Sequence, residues 1–188
     1  MPSIAELSIQ KGAEIEVAIE SVTFGGQGVA RINDFVVFVN GGVTGDVVRA
    51  KVLKLKKNFA EAQTTHILTP SPYRTEAPCR YFGTCGGCRW QDVEYQGQLE
   101  FKRQNINDVF QRIGGFRDLE IPFPIGSPKI FHYRNKMEFT FGDRPWLTEA
   151  SKADLFKPSF ALGLHVPHRF DKVLDIEDCY LQSPLANQ

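Results

Sequence analysis

Several things are scarce in this 188-residue chain. No run of eighteen apolar residues occurs, which excludes a hydrophobic spanning helix. The N-terminus, MPSIAELSIQKGAEIEVAIE, has acidic residues where a secretory signal needs an apolar core, so the expected location is the cytoplasm. No charge sign is in excess: 22 Lys and Arg balance 22 Asp and Glu. There is no internal repeat and no low-complexity tract. Cysteine is rare too, at four residues, but three of them fall within "CRYFGTCGGC", residues 79 to 88. In a reducing compartment such a cluster points to metal binding or catalysis rather than to disulfides.

The balance of charge hides sorting. "RAKVLKLKK" carries Arg49, Lys51, Lys54, Lys56 and Lys57 without an acid, whereas Asp171, Asp175, Glu177 and Asp178 gather near the end. Residues 1–68 read as all-β. In "AEIEVAIE" the residues Ile15, Val17 and Ile19 alternate with glutamates, the period of a half-buried strand. Short strands "VARI", "FVVFV", "DVVRAKVLKL" and "FAEAQTTHIL" follow between glycine-rich turns. Five such strands predict a small OB-like barrel.

Residues 69–78, rich in proline, read as a linker. The remainder, 79–188, reads as an α+β domain with an antiparallel sheet and a metal-cluster loop of four cysteines. A helix is expected from near Asp92 to Ile113, its buried stripe being Tyr95, Leu99, Ile106, Phe110 and Ile113, with Asp92 as cap and Gly114–Gly115 as stop. "FHYRNKMEFTF" alternates like a strand, with Phe131, Tyr133, Phe139 and Phe141 inward. "FALGLHV" and "FDKVLDI" form a hairpin about "PHR".

The cysteine spacing is C-x5-C-x2-C, with Cys179 far downstream. A C-x2-C step lets two thiolates face one centre from a tight turn, and Gly86–Gly87 suit that turn. Glycine N–H groups can also approach sulfur. Spacing leaves zinc and iron–sulfur open, the three-plus-one pattern leaning toward a cluster. For nucleic acid, His132, Arg134 and Lys136 fall on one side of the expected strand, and the five cations at 49–57 offer a second basic track. The rival reading for each is a solvated polar face. His165 and His168 flank a proline turn and read as turn polar groups.

"CRYFGTCGGCRWQDVEYQGQLEFKRQ", "YRNKMEFTF" and "DIEDC" resemble the RNA (uracil-5-)-methyltransferases, which use S-adenosylmethionine. The resemblance implies a TRAM barrel, a central domain whose [4Fe-4S] cluster is held by Cys79, Cys85, Cys88 and Cys179, and a methyltransferase domain beyond residue 188. It implies RNA as partner, ribosomal RNA favoured over transfer RNA, and no membrane or protein partner. "FGGQGVARI" lacks the following helix of a dinucleotide site. With every cysteine committed as a ligand, none is left as nucleophile, so this portion is expected to be catalytically inactive. The alternatives are a stand-alone TRAM RNA-binding module and a TRAM-containing radical methylthiotransferase, whose C-x3-C-x2-C spacing differs from that seen.

Overall fold

A computed structural model describes residues 9–143, 160–167 and 169–188. The chain divides into two compact units, Met1–Arg74 with Val93–Ile125, and Thr75–Asp92 with Gly126–Gln188. The helical segment therefore belongs with the barrel, whereas the sequence reading places it with the cysteines.

The first unit contains six strands: β1 (Glu14–Ala18), β2 (Ser21–Val22), β3 (Gly28–Ile32), β4 (Phe35–Asn40), β5 (Val47–Leu55) and β6 (Phe59–Thr69). Their order in the sheet is β1-β5-β6-β4-β3-β2. All neighbours are antiparallel except β4 and β6. The two outermost strands, β1 and β2, are separated in sequence only by Ile19 and Glu20. The Ile19 N–H donates to the Asp46 carbonyl at 2.8 Å, and the Glu20 N–H to the Val29 carbonyl at 2.9 Å. The chain thus leaves one edge of the sheet and joins the other, which closes the sheet on itself and leaves few free edge groups. Gly28 sits at this crossing, where a Cβ would stand 2.9 Å from both the Gly42 carbonyl oxygen and Ile19 Cγ2. Asn33 and Asp34 both take positive φ in the turn joining β3 to β4, as a tight two-residue hairpin requires.

Inside lie Val17, Ala30, Val37, Val39, Val48, Ala50, Val52, Ala60 and Ala62, all buried. These small and β-branched residues alternate with less buried ones along the strands, so the five strands expected from the sequence are present, and β2 is added as a short sixth.

The stretch read as a linker begins pinned to the barrel. Asp46, wholly buried, accepts from the N–H groups of Val43 (2.9 Å) and Ser71 (2.8 Å), and Arg74 Nη2 reaches it at 2.6 Å. The helix α1 (Tyr95–Arg112) follows. Its start differs from the expected one. The residue at the cap position is Glu94, with no side-chain cap, while the Asp92 carbonyl accepts from Thr75. Its buried face also differs: Gly97, Leu99, Phe101 and Asn105 are covered, whereas Ile106, Phe110 and Ile113 are 39%, 40% and 82% exposed. Gly97 lets the helix lie on Tyr73, whose ring packs edge-on against Phe101 at 5.8 Å.

The second unit has one antiparallel sheet, ordered β7 (Thr140–Gly142), β8 (Ala161–Val166), β9 (Arg169–Asp175). The hairpin of β8 and β9 agrees with the sequence reading. The long strand expected over 131–141 does not form: only its last residues enter β7. His132 takes a positive φ of 54°, which breaks the extended chain, and Tyr133 and Phe141 are exposed rather than inward.

Candidate cysteine centre and nucleic-acid interface

The cysteine loop is a series of short turns. Phe82 donates its N–H to the Cys79 carbonyl, and Thr84 and Cys85 donate to the Tyr81 carbonyl. Gly86 donates to the His165 carbonyl at 3.3 Å, which ties the loop to β8. A Cβ on Gly86 would lie 3.0 Å from that same oxygen. Gln91 is the organiser. Its Oε1 accepts from the Cys79 N–H at 3.3 Å, and its Nε2 donates to Cys88 Sγ at 3.2 Å. The Gly87 N–H donates to Cys85 Sγ at 3.4 Å. Cys179 arrives after β9; its N–H donates to Asn187 Oδ1, and Asn187 Nδ2 returns to its carbonyl. The Glu177 N–H donates to the Tyr81 hydroxyl, and Arg80 pairs with Glu177, so the distant segment is fastened to the loop.

All four cysteines are unbridged, and all four line one cavity, walled also by Leu164, Ile176 and Leu181. Their electrostatics report the same convergence. Burial pushes the Cys85 thiol up, the Gly87 N–H pulls it back, and the sulfurs of Cys88, Cys79 and Cys179 push it up again. Burial likewise raises Cys88, against the Gln91 amide and the Arg134 charge, with Cys179 and Cys79 adding to the rise. Among the described residues, no group of three or more His, Cys, Asp or Glu is arranged as a ready site for a metal ion. What the structure provides is the donor set: four thiols in one enclosure, two of them already receiving N–H groups, the environment that thiolate-bound centres use.

The residues expected to meet nucleic acid fall into different settings. Arg49 pairs with Glu16 at 2.7 Å, Lys54 with Glu61 at 3.0 Å, and Lys51 stands opposite Glu14 in the β1–β5 register. The glutamates of "AEIEVAIE" thus face the basic strand, a cross-strand relation that reading each segment alone does not reveal. Lys56 and Lys57 lie in the turn before β6 and are exposed. His132 is engaged within the fold: its Nδ1 meets the Gln182 carbonyl oxygen at 2.7 Å, and its ring stacks on Tyr180. Arg134 and Lys136 are not on a strand face; both border a cleft beside Gly86 and Gly87. His165 Nε2 meets Thr140 Oγ1 at 3.1 Å, and His168 lies outside the described residues. Sequence reasoning missed Gln91 as the organiser of the loop, although the residue stands within the quoted motif, and it missed the Asp46–Arg74 pair, which no local pattern announces. No helix among the described residues is long and apolar enough to cross a membrane.

Residues 9–65 match the TRAM domain family. An uncharacterized RNA methyltransferase of Bacteroides thetaiotaomicron is 40% identical over 165 residues, covering 87% of this chain and 36% of the relative. One of Clostridium tetani is 31% identical over 183 residues, covering 97% and 37%. The crystal structure of Pyrococcus abyssi tRNA (uracil-54, C5)-methyltransferase in complex with S-adenosyl-L-homocysteine shares the fold, with a TM-score of 0.51 and 23% identity, over 92% of this chain and 34% of that one. The chain thus spans about a third of the length of the curated relatives it matches. Barrel and relatives together define a TRAM-bearing protein of the RNA methyltransferase class. The chain belongs to that family.

Proposed function

We propose that this chain is the RNA-binding and iron–sulfur portion of an S-adenosylmethionine-dependent RNA uracil-5-methyltransferase. One observation carries the reading. Four cysteines, the last ninety residues beyond the others, line a single cavity in a chain whose other unit is a TRAM domain. The fit rests on the donors. Cys79, Cys85, Cys88 and Cys179 would hold a [4Fe-4S] cluster, while Gly87 and Gln91 donate to two of the sulfurs. When bound, the cluster supplies thiolate cross-links between the loop and the segment after β9. The chain's own residues hold that segment in place, through Asn187 on Cys179 and Tyr81 and Arg80 on Glu177.

The substrate is an RNA, with ribosomal RNA favoured by the resemblance; transfer RNA is the rival that the archaeal neighbour's name brings. Binding is assigned to Lys56 and Lys57 on the barrel and to Arg134 and Lys136 in the second unit, with Arg49, Lys51 and Lys54 kept in the field of the glutamates opposite them. S-adenosylmethionine and the nucleophile belong to the full-length enzyme. With all four thiols turned to one cavity, this chain alone transfers no methyl group.

The test is anaerobic reconstitution with iron and sulfide. The expected product is brown, with about four of each per chain, and Cys85→Ser abolishes the colour. A colourless protein that retains one zinc overturns the cluster. Absence of binding to any RNA in a low-salt titration overturns the RNA reading.

A further inference from the structure

The second unit holds another opening, which shares Gly87 and Leu164 with the cysteine cavity. It is an open cleft of about 360 Å³, at the small end of ligand pockets. Its walls come from three places: Gly86–Gly87 of the cysteine loop, Arg134 with Lys136, Met137 and Glu138 of the irregular segment, and Leu164 and His165 of β8.

The chemistry of these walls is specific. Arg134 is held by its backbone, whose N–H donates to the Leu181 carbonyl at 2.9 Å, while its guanidinium touches the Met137 sulfur at 3.9 Å. No carboxylate pairs with it among the described residues. Lys136 pairs with Glu138 at 2.7 Å, but the two side chains are 82% and 80% exposed. A pair so open to water holds its partner weakly, and an incoming phosphate can take the place of Glu138. The floor is backbone, because Gly86 and Gly87 lack side chains where a Cβ would press within 3.0 Å of the His165 carbonyl oxygen and 3.1 Å of Leu164 Cδ1. Met137 and Leu164 supply an apolar wall, and a methionine sulfur is a favourable neighbour for a flat aromatic ring. Two cations beside a partly apolar cleft match the two halves of a nucleotide, and unpaired bases of RNA are read by such contacts.

We propose that this cleft seats one unpaired nucleotide of an RNA strand, with its phosphate on Arg134 and Lys136 and its base against Met137 and Leu164 over the Gly86–Gly87 backbone. The inference rests on the RNA-binding reading above and goes further, in that it puts the bound nucleotide directly against the cysteine loop. RNA occupancy then shields the loop, and the loop's conformation governs RNA affinity.

The test uses the whole chain and an unstructured fluorescent RNA dodecamer. Binding is followed by anisotropy across a salt series, and backbone protection by hydrogen–deuterium exchange. RNA is expected to slow exchange in peptides covering 85–89 and 134–138. Arg134→Ala should weaken binding roughly tenfold and lower the salt slope by about one; Arg134→Lys should restore part of both. Met137→Ala should weaken affinity with the salt slope unchanged, which a loss of charge alone does not do. Should the wild-type chain bind no RNA, the functional reading falls and the cleft assignment with it. Should it bind with protection confined to other peptides, or with Arg134→Ala indistinguishable from wild type, the cleft alone is overturned. Protection of these peptides by uridine monophosphate but not by the dodecamer would overturn the RNA strand as its occupant, in favour of a free nucleotide.

Discussion

In the barrel, each strand turns a small or branched residue inward: Val17 on β1, Val22 on β2, Ala30 on β3, Val37 and Val39 on β4, Val48, Ala50 and Val52 on β5, Ala60 and Ala62 on β6. In the second unit, the buried apolar residues among those described are Ala161, Val173, Leu174, Cys179 and Leu181. The first unit is held by apolar burial spread over a closed sheet. The second buries little and is joined instead through particular contacts: Gln91 on two cysteines, Gly86 on β8, Tyr81 and Arg80 on Glu177. Small domains with thin cores commonly need a staple, and the cysteine cavity is where this unit would receive one. The comparison places most of the apolar burial of the described residues in one unit and the cysteine cavity in the other.

The largest expected effect would break the comparison outright. In the reconstituted protein, Cys179→Ser should release the distant segment from the loop. Limited proteolysis should then cut freely within 75–92 and 126–188, while a barrel fragment survives intact. Equal resistance of both units in the variant would mean that the second unit has a sufficient core of its own.

Next in size is Asp46→Ala, which acts on the other unit. The substitution strips a buried carboxylate from Arg74 and leaves the N–H groups of Val43 and Ser71 without their acceptor. Removing one partner of a buried ion pair typically costs about 3–5 kcal/mol. The urea midpoint of the barrel should fall accordingly, with iron retention in the second unit unaltered. A shift below about 1 kcal/mol would show that water replaces the carboxylate at little cost.

The same contrast explains what the sequence could disclose. Alternation in β1 and the short strand-like runs of β3 to β6 between glycine turns are local signals, and the barrel was legible nearly strand by strand. The cysteine cavity was legible through its spacing and its resemblance to a known family. Elsewhere the deciding contacts are distant. The buried face of α1 uses Gly97 and Asn105, neither of which is apolar, so a search for an apolar stripe selects Phe110 and Ile113, which the fold leaves exposed. The alternation over 131–141 is genuine in sequence, yet the turn at His132 and its stacking on Tyr180 override it. The cations of β5 invite a nucleic-acid reading until the pairing with β1 and β6 sets a glutamate beside three of them.

Gly97→Ala sharpens the point about α1. A Cβ there would stand 2.7 Å from Tyr73 Cβ and Cγ, within the body of the side chain rather than at a flexible end. Overpacking of this kind costs about 1–3 kcal/mol. Helix propensity works in the opposite direction, since alanine favours a helix interior over glycine by about 1 kcal/mol. A net loss in thermal stability of the first unit therefore means that contact with Tyr73 outweighs propensity. A gain would mean that α1 shifts off Tyr73 freely, and that this part of the first unit is looser than its buried Phe101 implies.

The smallest effect expected is one of pH, confined to the second unit of the metal-free protein. Cys85 and Cys88 are raised above their ordinary value of 9.0, foremost because burial disfavours the thiolate. The folded unit therefore holds these protons more tightly than the unfolded chain does. Below about pH 9 both states are protonated and stability is flat; between the unfolded and the raised folded value, the unfolded chain releases protons first and stability declines. Two measurements follow. At about pH 8, iodoacetamide should modify Cys85 and Cys88 more slowly than it modifies the same residues in the urea-unfolded chain, since only the thiolate reacts. The melting transition of the second unit should begin to drop from about pH 9 upward, whereas the barrel, which has no cysteine, stays level over that first step. Faster modification in the folded state would mean that the Gly87 and Gln91 N–H donors outweigh burial, so that the loop is poised for thiolates even before any centre binds.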